Sequence, residues 1–116
     1  MARGDIVLVP FPFTDLTGQK RRPALVVSPD GLDPEDLVLC AITSRPPGRP
    51  LPWDVPLRAQ DLVDGALPRP SVIKVGKLFT MHRMLILGRF DNIRPQKLVE
   101  VLRVLQRLFE PDRASP

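Results

Sequence analysis

The stretch KRRPALVVS, residues 20–28, joins a basic turn through a single proline to a short run of strand-forming residues. The apolar and β-branched side chains from Ala24 to Val27 favour a strand, which the turn-forming residues 29–31 (PDG) close. A helix cannot run through this stretch, because Pro23 would remove a backbone donor and clash with the preceding turn. The stretch therefore predicts a short strand that is entered from a cationic corner.

Further strands are predicted by runs of apolar and β-branched residues on both sides of this stretch: 5–9, 37–43, 53–57, 71–75 and 84–90. The first run is expected to end at Pro10, because proline cannot continue a central strand. Residues 37–43 are nearly all apolar, which predicts a central strand buried on both faces. The run at residues 53–57 contains Pro56 and is therefore expected to form an edge strand. Residues 76–83 are expected to be mostly extended.

The only long helix that the sequence predicts lies in the C-terminal region. Fifteen prolines among 116 residues exclude a helical bundle, because each one breaks a helix interior or a central ladder. Residues 58–64 suit one or two helical turns, stopped by Gly65. Pro95 is at home in a first helical turn, and the sequence predicts a helix over residues 96–109. One apolar stripe at helical spacing is expected to pack on the rest of the domain: Leu98, Val101, Leu102, Leu105, Leu108 and Phe109.

These elements predict one domain over residues 1–116 that is mainly β with a C-terminal α-helix. Five to seven short strands with prolines at the corners describe a small, strongly bent, partly open barrel. Antiparallel pairing is expected because no helical crossover separates the early strands. Residues 110–116 are expected to form a frayed tail.

Cysteine content and hydropathy indicate a reduced, cytoplasmic protein with no membrane association. Cys40 is the single cysteine, which excludes an intrachain disulfide and a cysteine-based zinc site. It lies in an apolar run and is expected to be a small buried hydrophobe. The N-terminus lacks the apolar stretch of a signal peptide, and no run approaches the length of a membrane span.

The charge distribution suggests a polyanionic partner. The net charge is +4, and residues 71–116 hold nine basic against four acidic side chains. A smaller cluster of basic residues lies at positions 20–22. Thirteen of the seventeen basic residues are arginine, the side chain suited to bidentate phosphate recognition.

Five segments, in this order and spacing, resemble the MazF/PemK (Kid) toxins of bacterial toxin–antitoxin systems: GDIVLV (4–9), KRRPALVVS (20–28), LCAITS (39–44), SVIKV (71–75) and KLFT (77–80). With the terminal helix, the resemblance covers nearly the whole chain. It implies an SH3-like barrel that dimerises and acts, without metal or other cofactor, as a sequence-specific endoribonuclease on single-stranded RNA. It also implies neutralisation by an acidic antitoxin whose disordered segment occupies the RNA groove, and operator DNA binding only through the antitoxin complex.

Two catalytic residues carry over by motif, namely Arg22 before the proline of the second strand and Thr43 at the end of the third. RNA can be cut without a metal because its own 2′-hydroxyl can attack the adjacent phosphorus, and a guanidinium fork then matches the phosphorane oxygens. A threonine hydroxyl can donate to a phosphate oxygen. Further RNA contacts are predicted near this pair and on the later strands: Lys20, Arg21, Ser44, Lys77, His82 and Arg83.

Several candidate residues also have ordinary structural explanations. His82 is the only histidine, the residue type most often used as a general acid or base, but a lone histidine in a turn is more often a bystander. The acidic cluster at residues 33–36 is interpreted as solvated turn residues, so no metal site is predicted. Aromatic side chains could stack on unpaired bases, although core packing is expected for most of them: Phe11, Phe13, Trp53 and Phe79. Asp15 is interpreted as a turn cap.

Features of this chain depart from the family pattern and leave alternatives open. A single glycine precedes the Arg22–Pro23 junction, and residues 45–52 are unusually rich in proline. Base specificity therefore does not carry over from any relative. One alternative is a toxin of the same fold that poisons a protein target such as DNA gyrase, and another is a non-catalytic nucleic-acid-binding module. The pair of Arg22 and Thr43, which a gyrase poison does not need, favours the nuclease over the first alternative, and fold alone does not separate the nuclease from the second.

Overall fold

The computed structural model describes residues 1–11, 20–44 and 48–112. The predicted loop around Phe13 and Asp15, three residues of the proline-rich connector and the end of the predicted tail lie outside these ranges. The described part contains six strands, two 3₁₀ turns and one α-helix: β1 (Asp5–Phe11), β2 (Lys20–Val26), β3 (Asp36–Thr43), β4 (Asp54–Leu57), β5 (Ser71–His82), β6 (Gly88–Asn92) and α1 (Pro95–Leu108).

The six strands form one curled antiparallel sheet in the order β4-β5-β3-β2-β1-β6. The sheet closes on itself only in part, which makes a half-barrel with one C-terminal helix. As the sequence predicts, β3 lies at the centre and the proline-bearing β4 lies at an edge. The central place of β3 agrees with its apolar side chains, which are buried on both faces of the sheet. An edge position suits β4 because Pro56 has no N–H to donate to a second neighbouring strand.

The sheet buries side chains on both of its faces and so separates two cores. Neighbouring residues alternate between them, with Ile6 and Cys40 in the first core and Val7 and Leu39 in the second. Helix α1 covers the first core. The second is closed by side chains from the later half of β5 and the segment after it: Phe79, Met81 and Ile86.

The expected end of β1 at Pro10 is wrong, because the strand continues to Phe11. The backbone carbonyl of Leu8 accepts a hydrogen bond from Leu87 N at 2.8 Å, on the side of β6. Alternation places the nitrogen of Pro10 on that same side, beyond the last β1–β6 pair at Leu8. No strand pairs with β1 at this position on that side, so the missing N–H of Pro10 costs no hydrogen bond.

The predicted strand over residues 84–90 is partly wrong. Residues Arg83–Leu85 form a 3₁₀ turn, and β6 begins only at Gly88. The turn is fixed because His82 Nδ1 accepts a hydrogen bond from Met84 N at 3.1 Å. The extended path expected before it is confirmed, since β5 runs without a break to His82.

The C-terminal helix spans Pro95–Leu108 and packs on the first core, as predicted. Its two fully packed residues are Val101 and Val104, which lie one helical turn apart. The predicted stripe misses Val104 and wrongly includes Phe109, which is 70% exposed. Phe109 is the C-cap, with φ −103° and ψ 8°, so its side chain departs from the helical repeat.

Cys40 is a free cysteine in the middle of β3 with no solvent-exposed surface. Burial raises the pKa of its thiol to about 12, so the thiol stays protonated at neutral pH. This confirms its predicted place in the core. In the described part of the chain, neither length nor hydropathy allows any helix to cross a membrane.

Candidate functional site

The strands β2 and β3 separate before either of them ends. Their pairing stops at Ala24 opposite Ala41. Beyond that point β2 follows β1, with Arg22 opposite Val9, whereas β3 follows β5, with Thr43 opposite Val72. The two strand ends therefore border a gap in the sheet.

Pro23 explains why the ladder between β2 and β3 stops where it does. Leu8 directs its carbonyl toward Leu87, away from β2, so Leu8 and Pro23 form a pair without hydrogen bonds between β1 and β2. The nitrogen of Pro23 consequently faces β3. Proline has no N–H to donate there, and the next ladder bond to β3 cannot form.

The gap opens into a cleft of about 600 Å³. Its apolar walls include Leu67, from the segment before β5, and Phe90 of β6. Its polar side chains come from the ends of β2 and β3 and from the start of β5: Arg21, Arg22, Thr43, Ser44, Arg69 and Ser71. A nucleotide-sized ligand needs a concave site of this kind, with apolar walls and a few polar groups.

The register shows which of these side chains share a face. Continued past the last bonded pair, it sets Arg22 opposite Thr43 and Arg21 opposite Ser44. Side chains alternate along a strand, so Arg22 and Thr43 lie on the face of the second core. Arg21 and Ser44 lie on the other face. All four border the cleft because it is a gap between strands.

Three guanidinium groups make the cleft electropositive, and we refer to them as the cleft arginines: Arg21, Arg22 and Arg69. No carboxylate side chain is among the described residues that line the cleft. Within the described part, none of the three forms an ion pair, in contrast to Arg89, whose Nε lies 3.0 Å from Asp5 Oδ1. Arg22 is half-buried and Arg21 is exposed. Unneutralised guanidinium groups in a concave site attract anions and bind phosphate in bidentate fashion.

The buried carboxylate of Asp91 fixes the segment that forms one wall of the cleft. It accepts hydrogen bonds from the backbone N–H groups of Asp64 (3.0 Å), Ala66 (2.9 Å) and Asn92 (2.8 Å). Burial opposes ionisation of this carboxyl, but the three donors outweigh it and lower the pKa of Asp91 below its ordinary value. The carboxylate therefore stabilises the fold above the ordinary pKa and loses this effect only as the pH falls through the lowered value.

Sequence reasoning missed three residues of the cleft, namely Arg69, Ser71 and Phe90. Arg69 lies between two prolines in a segment with no strand or helix pattern, so nothing local links it to the end of β3. The link is tertiary, because β5 begins at Ser71 and pairs with β3. The one available signal is the sequence PRP at 68–70, which indicates a stiff segment that presents an arginine.

The predicted site residues divide into two groups. The structure brings Arg21, Arg22, Thr43 and Ser44 together in the cleft. Lys20 begins β2 opposite Phe11, and its side chain lies outside the described part. Lys77 does not line the cleft. It lies on β5 near Asp54. Burial opposes ionisation of the Asp54 carboxyl, but the hydrogen bond from Lys74 and the nearby charge of Lys77 help to lower its pKa below the ordinary value.

His82 and Arg83 lie beside the first residue of β3, at the end of the strand opposite to the cleft. We call this region the far end, and it comprises Asp33, Glu35, His82 and Arg83. Asp36 is opposite His82. Thr43 lies seven positions further along β3, about 23 Å at the usual rise. His82 Nε2 lies 3.8 Å from Glu35 Oε2. Asp33 accepts hydrogen bonds from two backbone N–H groups, which lower its pKa, as expected for a turn residue.

The aromatic candidates that the structure describes pack mainly in the cores. Trp53 is half-buried against the first core, and Phe79 packs against the second. Phe90, which was not predicted, is the aromatic residue that lines the cleft in the described part. Among the described residues, no three His, Cys, Asp or Glu side chains come together in a way that would hold a metal ion.

Comparison with known proteins identifies a sequence family. The sequence profile of the PemK-like, MazF-like toxins of type II toxin–antitoxin systems matches residues 2–109. No curated protein shows significant sequence similarity to the chain.

Solved structures of similar fold include toxins and toxin–antitoxin complexes. The Mycobacterium tuberculosis toxin MazF-mt6 superposes with a TM-score of 0.72 at 18% identity, covering 93% of this chain and 98% of that one. A mycobacterial endoribonuclease in complex with its cognate antitoxin gives 0.71 at 18% identity, covering 97% and 98%. A MazE–MazF structure from Deinococcus radiodurans gives 0.70 at 27% identity, covering 93% and 94%.

Proposed function

Since this chain belongs to the PemK-like, MazF-like toxins of type II toxin–antitoxin systems, we propose that it is an endoribonuclease that cleaves single-stranded RNA at specific sequences. The observation that carries the proposal is the cleft itself. It combines the three cleft arginines with hydroxyl side chains and has no carboxylate among its described lining residues. Such a site stabilises additional negative charge on a phosphate, which is what the cleavage of RNA requires.

In the proposed reaction the 2′-hydroxyl of the substrate attacks the adjacent phosphorus. The bond to the 5′-oxygen breaks, which leaves a 2′,3′-cyclic phosphate and a 5′-hydroxyl. One proton leaves the attacking oxygen, and one is delivered to the leaving oxygen. The substrate supplies its own nucleophile, so the protein needs to position the phosphate and to stabilise its charge.

Arg22 is proposed to stabilise the phosphorane. Its planar fork of donors matches two phosphoryl oxygens, whose charge grows as the reaction proceeds. The strand supports this role, because the fixed backbone of Pro23 follows Arg22 and β1 holds it opposite Val9. A guanidinium held in this way needs little reorganisation when the charge develops.

Thr43 is proposed to donate its hydroxyl to a phosphate oxygen on the same face as Arg22. Their positions support this pairing, because both residues line the cleft and the register of β2 and β3, continued across the gap, sets them opposite each other. Arg21 and Ser44 form the corresponding pair on the other face and are proposed to hold the neighbouring backbone of the RNA. Lys20 would extend this cationic edge.

An acidic, partly disordered antitoxin is the proposed partner. A cleft that attracts phosphates also attracts carboxylates on a flexible chain, which can order on binding. The antitoxin complexes among the similar structures support a cognate antitoxin as the partner. We further propose a cytoplasmic homodimer, because a second copy would cover strand edges, and operator DNA binding only through the antitoxin.

The proposal is tested by incubating the purified protein with a long single-stranded RNA in excess EDTA and mapping the ends of the products. Cleavage is expected to persist and to give 2′,3′-cyclic phosphate and 5′-hydroxyl ends. Replacing the 2′-hydroxyl at the cut nucleotide by a methoxy group should abolish cleavage and leave binding nearly unchanged. A metal requirement, or products with 3′-hydroxyl ends, would contradict the mechanism.

A further inference from the structure

We propose that Arg69 is a third phosphate-binding arginine of this cleft and that the buried Asp91 is the positioning residue that holds its segment in place. The inference rests on the proposed function, because it assigns a role in binding the same RNA. It adds a contact from β5's side of the cleft to those from β2 and β3.

The position of Arg69 supports a contact with a phosphate on that side of the cleft. Arg69 precedes β5, which pairs with β3 on the side opposite to β2, and it is exposed. The backbone carbonyl of Arg69 accepts a hydrogen bond from Ser71 Oγ at 3.2 Å, which ties the residue to the start of β5. Its guanidinium has no carboxylate partner among the described residues.

The stiffness of the segment gives this arginine a defined position. Pro68 and Pro70 restrict the backbone on both sides of it. A flexible loop would lose conformational entropy on binding an extended RNA, whereas a preorganised arginine loses little.

Asp91 supplies the anchor between this segment and the sheet. Its Oδ1 accepts from Asp64 N and its Oδ2 from Ala66 N, so both oxygens hold the same loop. The side chain is completely buried, and the segment then passes Leu67, which packs on the first core. Exchange of Asp91 for asparagine would put an amide NH₂ where one oxygen now accepts, and at least one backbone donor would lose its partner.

The first test measures binding of a mixed-sequence, single-stranded 2′-methoxy RNA, which cannot be cleaved, at several salt concentrations. Arg69→Ala should lower the slope of log affinity against log salt by about 0.7, the value for one phosphate contact on a single strand. Arg103→Ala, which removes an exposed charge from α1, serves as the matched control and should leave the slope unchanged. An unchanged slope for Arg69→Ala would overturn the proposal.

The second test separates positioning by Asp91 from a general loss of stability. Asp91→Asn should reduce RNA affinity and the salt slope as Arg69→Ala does, and the double variant should bind no more weakly than Arg69→Ala alone. Additive losses would refute the positioning role. If Asp91→Asn does not fold, Gly65→Ala perturbs the same loop from its exposed side, because Gly65 has a φ of +66°.

Failure of this inference and failure of the proposed function give different results. A wild-type protein that binds the 2′-methoxy RNA but does not cut unmodified RNA refutes the nuclease and leaves the binding test of Arg69 valid. A wild-type protein that cuts RNA, with an Arg69→Ala variant of unchanged KM and salt slope, refutes the role of Arg69 alone.

Discussion

The cleft and the far end lie at opposite ends of the same strand pair and carry similar cationic side chains, yet their charges are arranged differently. In the cleft, no described carboxylate faces the three arginines. At the far end, Glu35 lies 3.8 Å from the only histidine, and Arg83 is close enough to help lower the pKa of Asp33, after the effect of the two backbone donors. The residue type alone therefore does not distinguish a cationic side chain that binds a ligand from one that stabilises the fold. The presence or absence of nearby carboxylates does distinguish them.

Arg22→Lys should produce the largest effect at the cleft. Lysine keeps the charge but loses the bidentate fork, so the barrier to cleavage should rise by about 2–4 kcal/mol, as for other preorganised charge stabilisers. Single-turnover cleavage of RNA measures this change. Arg103→Lys on the exposed side of α1 is the control. Retention of nearly full activity by Arg22→Lys would remove the basis for treating the cleft as catalytic.

Thr43→Val should produce the next largest effect. It removes the hydroxyl and keeps the β-branched shape, so it should cost about 1.5–3 kcal/mol of barrier if the hydroxyl donates to a charged phosphate. Thr43→Ser keeps the donor and should be milder. Thr80→Val, at an exposed position of β5, is the matched control. Equal rates for the serine and valine variants would argue against a donor at this position.

Pro23→Ala tests whether the gap itself depends on the missing donor. Alanine restores an N–H that faces β3, and one additional ladder bond worth about 1 kcal/mol would shift the ratio of open to closed cleft about fivefold toward the closed form. The cleavage rate should fall, by at most that factor, while stability to urea stays equal or rises. Pro56→Ala in the edge strand β4 should leave the rate unchanged. A slower rate accompanied by lower stability would indicate general damage instead.

His82→Ala should have the smallest effect on cleavage. Loss of the acceptor for Met84 N removes the cap of the 3₁₀ turn, which should cost about 1 kcal/mol of folding stability. The cleavage rate should change by less than twofold, because about 23 Å along β3 separate the far end from Thr43. Urea unfolding and RNA cleavage measured on the same preparation separate the two quantities. A large loss of activity without loss of stability would show that His82 takes part in cleavage or in RNA binding.

The sequence allowed prediction of the strands, the helix and the central place of β3, because each depends on local patterns of apolar residues and proline. Where prediction erred, the cause lay in tertiary structure. Proline was expected to end β1, and the strand continues because β6 stops pairing at Leu8. Phe109 was expected to pack, but the chain leaves the helix there.

The candidate site was partly predictable for the same reason. Arg22 and Thr43 are proposed from motif positions, and the structure adds that both line the same cleft. Arg69 and Phe90 could not be connected with them from the sequence, because β5 and β6 bring them to the cleft from distant parts of the chain. Their proximity depends on the order of strands in the sheet, which no local pattern encodes.

The buried thiol in β3 makes the folded protein inert to thiol reagents. Cys40 points into the first core, which helix α1 covers, so a reagent can reach the thiol only when this core opens. Its rate of modification at neutral pH therefore reports how often the helix and the sheet come apart in the native state. A second cysteine, introduced at an exposed position, would react without any such opening, so a single preparation would report both solvent access and the opening of the first core.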